Sequence, residues 1–319
     1  MKPLVSIVMP TFNRMEFLPA AVESVLAQTM PEWELIIADD GSNRETLDYL
    51  ETRARDERVR LLRLRHSGNP SATRNAGIAE VRTTLLAFLD SDDLWAPSKL
   101  ERQLAVLRAN SECGWSYTAF VVVDEEGKPL PSELDRPWTP HEGDIFTQTV
   151  RTTASIRLPS VLARTALVRE AGAFDEAIDC SEDYDLWMRL ALRSPVCVVD
   201  EPLLRVRRHS RNPRRPTGSY HLARDYSLRK LAGQVDGSRR RLLAAERSRN
   251  ATGLAITFAA HGQRWRSIAT VCNSLSFSWR FPRWWAGAAK ASAVACLRAR
   301  PAASSSSGVE ARLERVDQE

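Results

Sequence analysis

The chain lacks any long hydrophobic run. No stretch of about 18 uncharged apolar residues occurs in its 319 residues, so we expect no membrane-spanning helix. The N-terminal segment "MKPLVSIVMP" has no long apolar core, so a secretory signal peptide is not expected. The polar, low-complexity residues 301–319 predict a disordered tail. The overall composition, 43% hydrophobic and 27% charged, is typical of a globular protein.

Cysteine is scarce and its spacing carries no motif. The chain has five cysteines, an odd number, and no two of them have the spacing of metal ligands. They are Cys113, Cys180, Cys197, Cys272 and Cys296. This pattern predicts free thiols in a reducing compartment, and therefore a cytoplasmic location.

Charge is distributed unevenly along the chain. The whole chain has 45 Lys+Arg and 40 Asp+Glu. Residues 205–319 hold 23 of these basic residues but only 7 of the acidic ones. A basic C-terminal part indicates an anionic partner, because like charges gathered on one segment attract the opposite sign. No nucleic-acid-binding motif accompanies it, so nucleic acid is not expected as a partner.

Residues 277–300 place Trp and Phe beside Arg and Lys, as helices at membrane interfaces do. We therefore expect the basic part to contact an anionic membrane surface, peripherally, on the inner face of the cell membrane. A terminal helix packed on the protein body would have a similar sequence, and this alternative stays open.

The first hundred residues alternate between short apolar runs and helical patterns. The pattern predicts strands at 4–9, 33–39, 59–64 and 84–90, and helices at 17–29, 44–56, 70–81 and 97–110. Further on, it predicts a strand at 115–124 and helices at 164–172 and 181–193. Such alternation predicts an α/β fold with a Rossmann-like, mostly parallel central sheet and helices on both faces.

The loosening pattern beyond this region predicts three parts. We expect a catalytic or binding domain at 1–215, a basic helical C-terminal region at 216–300, and the disordered tail at 301–319.

Polar clusters follow three of the four predicted N-terminal strands. They are "PTFNR" at 10–14, "DDGS" at 39–42 and "DSDD" at 90–93. In an open α/β sheet, the carboxyl ends of the strands form the ligand crevice. The sequence therefore predicts a ligand site lined by these three segments.

The segment "FLDSDDLW" places Asp90, Asp92 and Asp93 together at the end of an apolar strand. Carboxylates are hard ligands, and Mg2+ or Mn2+ prefers a few of them together with water and a substrate phosphate. The triplet therefore indicates a site for a metal–nucleotide complex. Alternatively, one Asp caps the following helix and the others are solvated.

Three other side chains at this edge have two interpretations each. Asp40 could accept a hydrogen bond from a nucleobase or belong to an Asx-turn. Phe12 could stack on a base or belong to the core. Arg74 could contact phosphate or base, or lie on the surface.

A second acidic cluster, "SEDYDLW", opens a predicted helix with Ser181 as candidate N-cap. Helical spacing places Asp183 and Trp187 on one face, where Trp187 could exclude water and help to hold an acceptor. A partly desolvated carboxylate suits a general base, so Asp183 is the candidate. The neighbouring Glu182 would also be favoured there by the helix dipole. His209 could be a metal ligand, a phosphate contact or a solvated residue.

Together these segments resemble one family. "SIVMPTFNR", "WELIIADDGS", "SATRNAGI", "FLDSDDLW" and "GAFDEAIDCSEDYDLWMRL" resemble the successive motifs of family 2 inverting glycosyltransferases, which have the GT-A fold. The resemblance covers roughly residues 3–210. The "QxxRW" motif of processive synthases is absent, which implies the addition of one sugar per encounter.

The resemblance implies a role for each candidate. The nucleobase and nucleotide would be held by Pro10, Thr11, Phe12, Asn13, Asp40 and Arg74, and the ribose by Asp90. Mn2+ or Mg2+ would be bound by Asp92, Asp93 and His209. Asp183 would be the catalytic base, with Glu182 beside it as the rival.

The function expected from this resemblance is a metal-dependent, inverting transfer of one sugar. The donor would be a nucleotide-diphosphate sugar, with a UDP-sugar as the usual one. The acceptor would be a hydroxyl of a glycan or lipid-linked acceptor, in bacterial-type surface glycan or glycolipid assembly. The alternative is a non-catalytic nucleotide-sugar-binding protein of the same fold. A nucleotidyltransferase is disfavoured because no glycine-rich loop follows the first strand.

Overall fold

The computed structural model describes residues 2–130, 138–178, 180–211 and 216–297. The strands in these residues are β1 (Val5–Thr11), β2 (Trp33–Asp39), β3 (Val59–Arg63), β4 (Leu85–Phe88), β5 (Leu94–Trp95), β6 (Trp115–Val123), β7 (Leu162–Arg164) and β8 (Val196–Arg207). The helices of the first 215 residues are α1 (Leu18–Leu26), α2 (Arg44–Arg53), α3 (Pro70–Ala79), α4 (Lys99–Ala109), α5 (Phe146–Arg151), α6 (Thr165–Glu170) and α7 (Glu182–Ala191). The later helices are α8 (Ser219–Ala232), α9 (Gly237–Ala260), α10 (Arg264–Ser278) and α11 (Pro282–Leu297). The elements predicted for the first hundred residues are therefore confirmed, with ends shifted by a few residues.

The eight strands form one sheet in the order β3-β2-β1-β4-β7-β6-β8-β5. The first four strands pair in parallel, as do β6 and β8. However, β7 runs antiparallel to both β4 and β6, and β5 runs antiparallel to β8. The predicted α/β fold is confirmed, but the sheet is mixed. A short strand that enters between two others has no helical crossover to hold it parallel.

Strand β1 is buried on both faces. Val5, Ile7 and Met9 belong to the core cluster on one side of the sheet, while Val8 belongs to the cluster on the other. Side chains alternate along a strand, so a strand covered on both faces must be apolar throughout. This explains the short, wholly apolar run in the sequence and places the polar residues only at its end.

Two helices that begin at the ligand edge start differently. The Asn69 side chain caps α3 by accepting from the backbone N–H groups of Ser71 and Ala72. Ser181 occupies the N-cap position of α7, but its side chain makes no capping hydrogen bond and its φ is 57°. The predicted capping role of Ser181 is therefore wrong, because a capping side chain needs an extended backbone at that position.

Cys113 and Cys197 form a disulfide. Their Cα atoms lie 6.0 Å apart because the parallel pairing of β6 with β8 brings together residues separated by 84 positions. The prediction of free thiols is wrong for this pair. It holds for Cys272, which is exposed and unbonded to another cysteine.

The chain divides into two compact units, residues 1–250 and 251–319. The first contains the sheet, and Leu228 and Leu231 of α8 belong to its core cluster. The predicted boundary after residue 215 stays a prediction, and the predicted tail at 301–319 lies outside the described residues. In the second unit, the buried Trp284 of α11 donates from Nε1 to Ser274 Oγ of α10 at 2.9 Å.

Across the residues that the structure describes, no helix combines the length and the apolar character needed to cross a membrane.

Helix α3 lies directly against β1, and Gly77 makes this approach possible. A Cβ atom on Gly77 would lie 2.6 Å from Val8 Cγ1, and Val8 is fully buried. We therefore predict that Gly77→Ala lowers the free energy of unfolding by about 1–3 kcal/mol, because the core cannot give way freely. Urea unfolding measures this change. The control is Gly233→Ala, where the nearest atom would be 3.8 Å away and a change below about 0.5 kcal/mol is expected. Equal effects of the two substitutions would contradict the close packing.

Candidate active site

The three predicted polar segments meet in one cleft of about 490 Å³ at the carboxyl ends of β1, β2 and β4. The predicted residues that line it are Pro10, Thr11, Phe12, Asp40, Arg74, Asp90, Asp92, Asp93 and Glu182. Asn13 does not line the cleft. Instead, it ties two of the loops together: its N–H donates to Ser42 Oγ at 2.9 Å, and its side-chain oxygen accepts from Asn43 N at 2.7 Å.

One end of the cleft is an aromatic platform. Phe12 is 39% exposed and stacks on His66, with ring centroids 4.1 Å apart and an interplanar angle of 18°. The open face of such a stack is suited to a planar ligand. His66 was not found by sequence reasoning. It lies just after β3, whose carboxyl end belongs to the same edge of the sheet, and this position was the available signal.

Asp40 fixes the loop that carries His66. Its carboxylate accepts from Ser67 N, Ser67 Oγ and Gly68 N at 2.8–2.9 Å, and lies 3.0 Å from His66 Nδ1. Burial acts to raise the pKa of Asp40, but the hydrogen bonds from Ser67 and Gly68 outweigh burial and keep the pKa below its usual value. The side chain of Asp40 is therefore hydrogen-bonded to Ser67 and Gly68 of the loop after β3. Its contact with a nucleobase stays a prediction.

Arg74 connects three elements of the site. From α3, its Nη2 atom donates to Asp90 Oδ1 after β4, and its Nη1 atom donates to Glu182 Oε1 at the start of α7, both at 2.8 Å. Arg74 is only 6% exposed, so it is not the surface arginine of the alternative interpretation. Burial raises the pKa of Asp90, and the charge of Arg74 opposes this rise.

Asp92 and Asp93 have different hydrogen-bonding partners. Asp93 is 5% exposed and accepts from Arg207 N of β8 at 2.8 Å, rather than from the backbone of α4. Its pKa is raised well above the usual value, first by burial and then by the charges of Asp92 and Asp90. Asp92 Oδ2 lies 3.0 Å from His209 Nε2. The triplet therefore does not cap the next helix.

A divalent cation would relieve this concentration of negative charge. Within the described ranges, no group of three or more His, Cys, Asp or Glu side chains is arranged to hold a metal by itself. However, Mg2+ and Mn2+ usually take only a few protein ligands and complete their shell with water and phosphate oxygens. Asp92 and Asp93 offer carboxylate oxygens of this kind at the cleft, whereas His209 does not line it. The binding of a cation by Asp92, Asp93 and His209 stays a prediction.

A second cavity, of about 220 Å³, adjoins the cleft and shares the side chains of Arg74, Asp90, Asp93 and Glu182 with it. Asp183 lines this second cavity. Burial, helped by the charge of Glu182, raises the pKa of Asp183 to about 7, against the opposing charges of Arg157 and Arg74. A carboxylate with this pKa can accept a proton near neutral pH.

Trp187 does not reach either cavity. Its side chain is fully buried and stacks on Trp115 of β6, with ring centroids 5.6 Å apart. The expected contact between Trp187 and an acceptor is therefore wrong. Trp187 lies one turn beyond Asp183, where α7 has already passed from the ligand edge into the core.

The acid-lined cleft lies at the carboxyl edge of the strands, where open α/β sheets bind their ligands, and comparisons with known proteins identify the family. The profile of the family "Glycosyl transferase family 2" matches residues 6–159. TuaG of Bacillus subtilis, a putative teichuronic acid biosynthesis glycosyltransferase, is 32% identical over 177 residues, which are 52% of this chain and 70% of TuaG. The chain belongs to the family 2 glycosyltransferases.

Other relatives differ in length. An uncharacterized glycosyltransferase of Rickettsia felis is 34% identical over 203 residues, 64% of this chain, but the chain spans only 33% of that protein. Among solved structures, S. aureus TarS 1–349 in complex with UDP-GlcNAc gives a TM-score of 0.69 at 18% identity, covering 92% of this chain and 88% of the TarS 1–349 chain. This likeness confirms the expected GT-A fold.

The ion pairs of Arg74 generate a prediction about stability. We expect Arg74→Met to lower the free energy of unfolding by about 3–5 kcal/mol at pH 7, because it leaves two carboxylates near each other without their cation. Urea unfolding of the variant measures the loss. The matched control is Arg44→Met, whose side chain is 79% exposed in an ion pair with Asp48, and its expected effect is below about 1 kcal/mol. If both substitutions cost the same, Arg74 does not hold the site together.

Proposed function

We propose that the protein is a metal-dependent inverting glycosyltransferase that moves one sugar from a nucleotide-diphosphate sugar to an acceptor hydroxyl. The observation that carries the proposal is the position of Asp183. It faces its own cavity, beside the acidic cleft, and its raised pKa suits a base. Membership of the glycosyltransferase family supports the reaction class.

The cleft is the proposed donor site. The stacked pair of Phe12 and His66 offers a platform for the nucleobase, and Arg14, Arg207 and Arg208 lie in the wall of the same cleft, where a diphosphate would bring negative charge. TarS was solved with UDP-GlcNAc, which makes a UDP-sugar the first donor to test. A divalent metal held by Asp92, Asp93 and His209 would stabilise the charge that gathers on the leaving diphosphate.

The second cavity is the proposed acceptor site. There, Asp183 takes the proton of the acceptor hydroxyl while the oxygen of that hydroxyl bonds to the anomeric carbon. The bond from the anomeric carbon to the diphosphate breaks, and its electron pair leaves with the diphosphate. Attack from the opposite face inverts the configuration, so no covalent enzyme intermediate forms. Glu182 is already engaged by Arg74 at 2.8 Å, which leaves Asp183 as the base and makes Glu182 a positioning residue.

A non-catalytic nucleotide-sugar-binding protein is the alternative function. Such a protein would need the cleft, but it would have no use for a carboxylate of raised pKa in a second cavity. The position of Asp183 therefore favours the enzyme.

The acceptor is proposed to be a glycan or lipid-linked acceptor of bacterial surface glycan assembly. The similarity to TuaG, a putative teichuronic acid biosynthesis glycosyltransferase, supports this class. The proposed location is the cytoplasmic face of the cell membrane, with peripheral attachment.

The C-terminal unit supports attachment to an anionic membrane. Residues 251–297 contain five Lys or Arg and no Asp or Glu. The exposed apolar side chains Trp265, Ile268, Leu275 and Trp279 recur at spacings of 3, 7 and 4 along α10 and its C-terminal end, so they share one helical face. We name this set the α10 apolar face. Of the tryptophans in residues 277–300, Trp279 and Trp285 are exposed and available to a membrane surface, whereas Trp284 is buried.

The proposed chemistry predicts different results for the two neighbouring acids. Asp183→Asn should lower kcat by about 100-fold or more while leaving the affinity for UDP-GlcNAc and Mn2+ within about twofold, because a general base acts only in the transition state. UDP release and calorimetric donor binding measure the two quantities.

The base must be ionised to accept a proton, so the wild-type rate should rise with pH through about 7. This rise should be absent in Asp183→Asn. Glu182→Gln should still show the rise of the rate with pH. If Glu182→Gln alone abolishes turnover, the base is Glu182.

The attachment proposal makes a separate prediction. The double substitution Trp265→Ser and Trp279→Ser should weaken binding to phosphatidylglycerol-containing vesicles by about tenfold or more, because interfacial tryptophans and basic residues act together. Vesicle flotation measures the change. The control is Leu222→Ser, which replaces an exposed apolar residue of α8 and should leave flotation unchanged. Wild-type recovery that is equal on neutral and anionic vesicles would contradict the electrostatic part.

A further inference from the structure

Arg157 lies in the wall of the second cavity, whereas Arg14, Arg207 and Arg208 line the cleft. Arg157 precedes a 3₁₀ turn at Leu158–Ser160. Trp95 Nε1 donates to the carbonyl of Pro159 at 2.8 Å, and Gln103 Nε2 donates to the carbonyl of Ser160 at 2.9 Å. Both donors are buried. The backbone that presents Arg157 to the cavity is therefore held by the core.

Arg157 carries a charge that the fold leaves without a counterion. Arg74, in the same wall, has two carboxylates at 2.8 Å. In contrast, the Arg157 side chain forms no ion pair with any described residue. The Nε–H groups of both arginines are buried without a hydrogen-bond partner. The Arg157 guanidinium instead lies over the ring of Phe120, 5.1 Å from the centroid. A half-buried cation without an ion pair is stabilised when an anion binds beside it.

The neighbouring acids do not fill this role. Burial raises the pKa of Asp93 and of Asp183, and the charge of Arg157 opposes both rises, so its field reaches them. However, Asp93 accepts from the backbone N–H of Arg207, Asp183 accepts from Tyr184 N at 2.9 Å, and neither carboxylate forms an ion pair with Arg157. The guanidinium of Arg157 is therefore able to form an ion pair with an anionic group of a bound ligand.

We propose that Arg157 binds an anionic group of the acceptor, a phosphate or a carboxylate, and thereby sets the reacting hydroxyl against Asp183. The inference rests on the proposed function, because it takes the second cavity as the acceptor site. The donor is not the source of the anion, since Arg157 does not line the donor cleft, which has Arg14, Arg207 and Arg208 of its own. The planar fork of a guanidinium fits the two oxygens of either group.

This assignment narrows the acceptor to an acidic class. A sugar phosphate or a uronic acid would pair with Arg157, whereas a neutral sugar would leave this half-buried cation without an ion pair. An enzyme site that leaves a polar group unpaired rejects the wrong ligand strongly. Arg157 thus acts as a specificity-determining residue.

The test measures binding to the second cavity when the cleft is already filled. Full-length protein is saturated with UDP and Mn2+, and glucose 1-phosphate, methyl glucuronide and methyl glucoside are titrated by ligand-observed NMR. We expect at least one charged sugar to bind about tenfold more tightly than the neutral one, and the better of the two identifies the group as phosphate or carboxylate. Equal affinity for all three sugars would overturn the proposal.

Three variants locate the effect. Arg157→Gln should remove the preference for the charged sugar, Arg157→Lys should keep part of it, and the surface control Arg44→Gln should keep all of it. An undiminished preference in Arg157→Gln would also overturn the proposal. UDP affinity separates the two hypotheses: if wild type does not bind UDP, the proposed function fails, whereas if only Arg157→Gln loses UDP, Arg157 belongs to the donor site and the inference fails alone.

Discussion

The candidate site depends on one buried arginine shared between two carboxylates. Arg74 is 6% exposed and holds Asp90 and Glu182 at 2.8 Å each, so it joins α3, the end of β4 and the start of α7. A buried cation is stable only when its charge is matched, and these two acids match it. The same bonds occupy Glu182, so that the next residue, Asp183, is left to face the second cavity.

Around this junction the protein keeps charges that are only partly compensated. Burial and neighbouring acids raise the pKa of Asp93, burial and Glu182 raise that of Asp183, and Arg157 lacks a counterion among the described residues. Such groups cost stability, so their concentration at one edge of the sheet is typical of a functional site. Asp93 lines both cavities, whereas Asp183 and Arg157 line only the second one. The second cavity thus contains both the candidate base and an arginine that has no ion pair with a described residue.

Local pattern was sufficient to predict much of this site. Each polar segment directly follows a strand whose apolar run is visible in the sequence, and parallel strands bring their carboxyl ends to one edge. This rule predicts that Pro10, Phe12, Asp40, Arg74 and the Asp90–Asp93 cluster meet at that edge. His66 follows the same rule after β3 and could have been found by it.

The sequence by itself determined the elements, their order and the edge that carries the chemistry, because hydrophobic periodicity and turn residues act over short distances. Only the tertiary structure decided the contacts between distant residues. It paired Cys113 with Cys197, placed β7 antiparallel between β4 and β6, and turned Trp187 onto Trp115 rather than toward a ligand. It also placed Arg157 beside Asp183. These outcomes depend on how helices and strands pack, and packing joins residues whose spacing in the chain carries no signal.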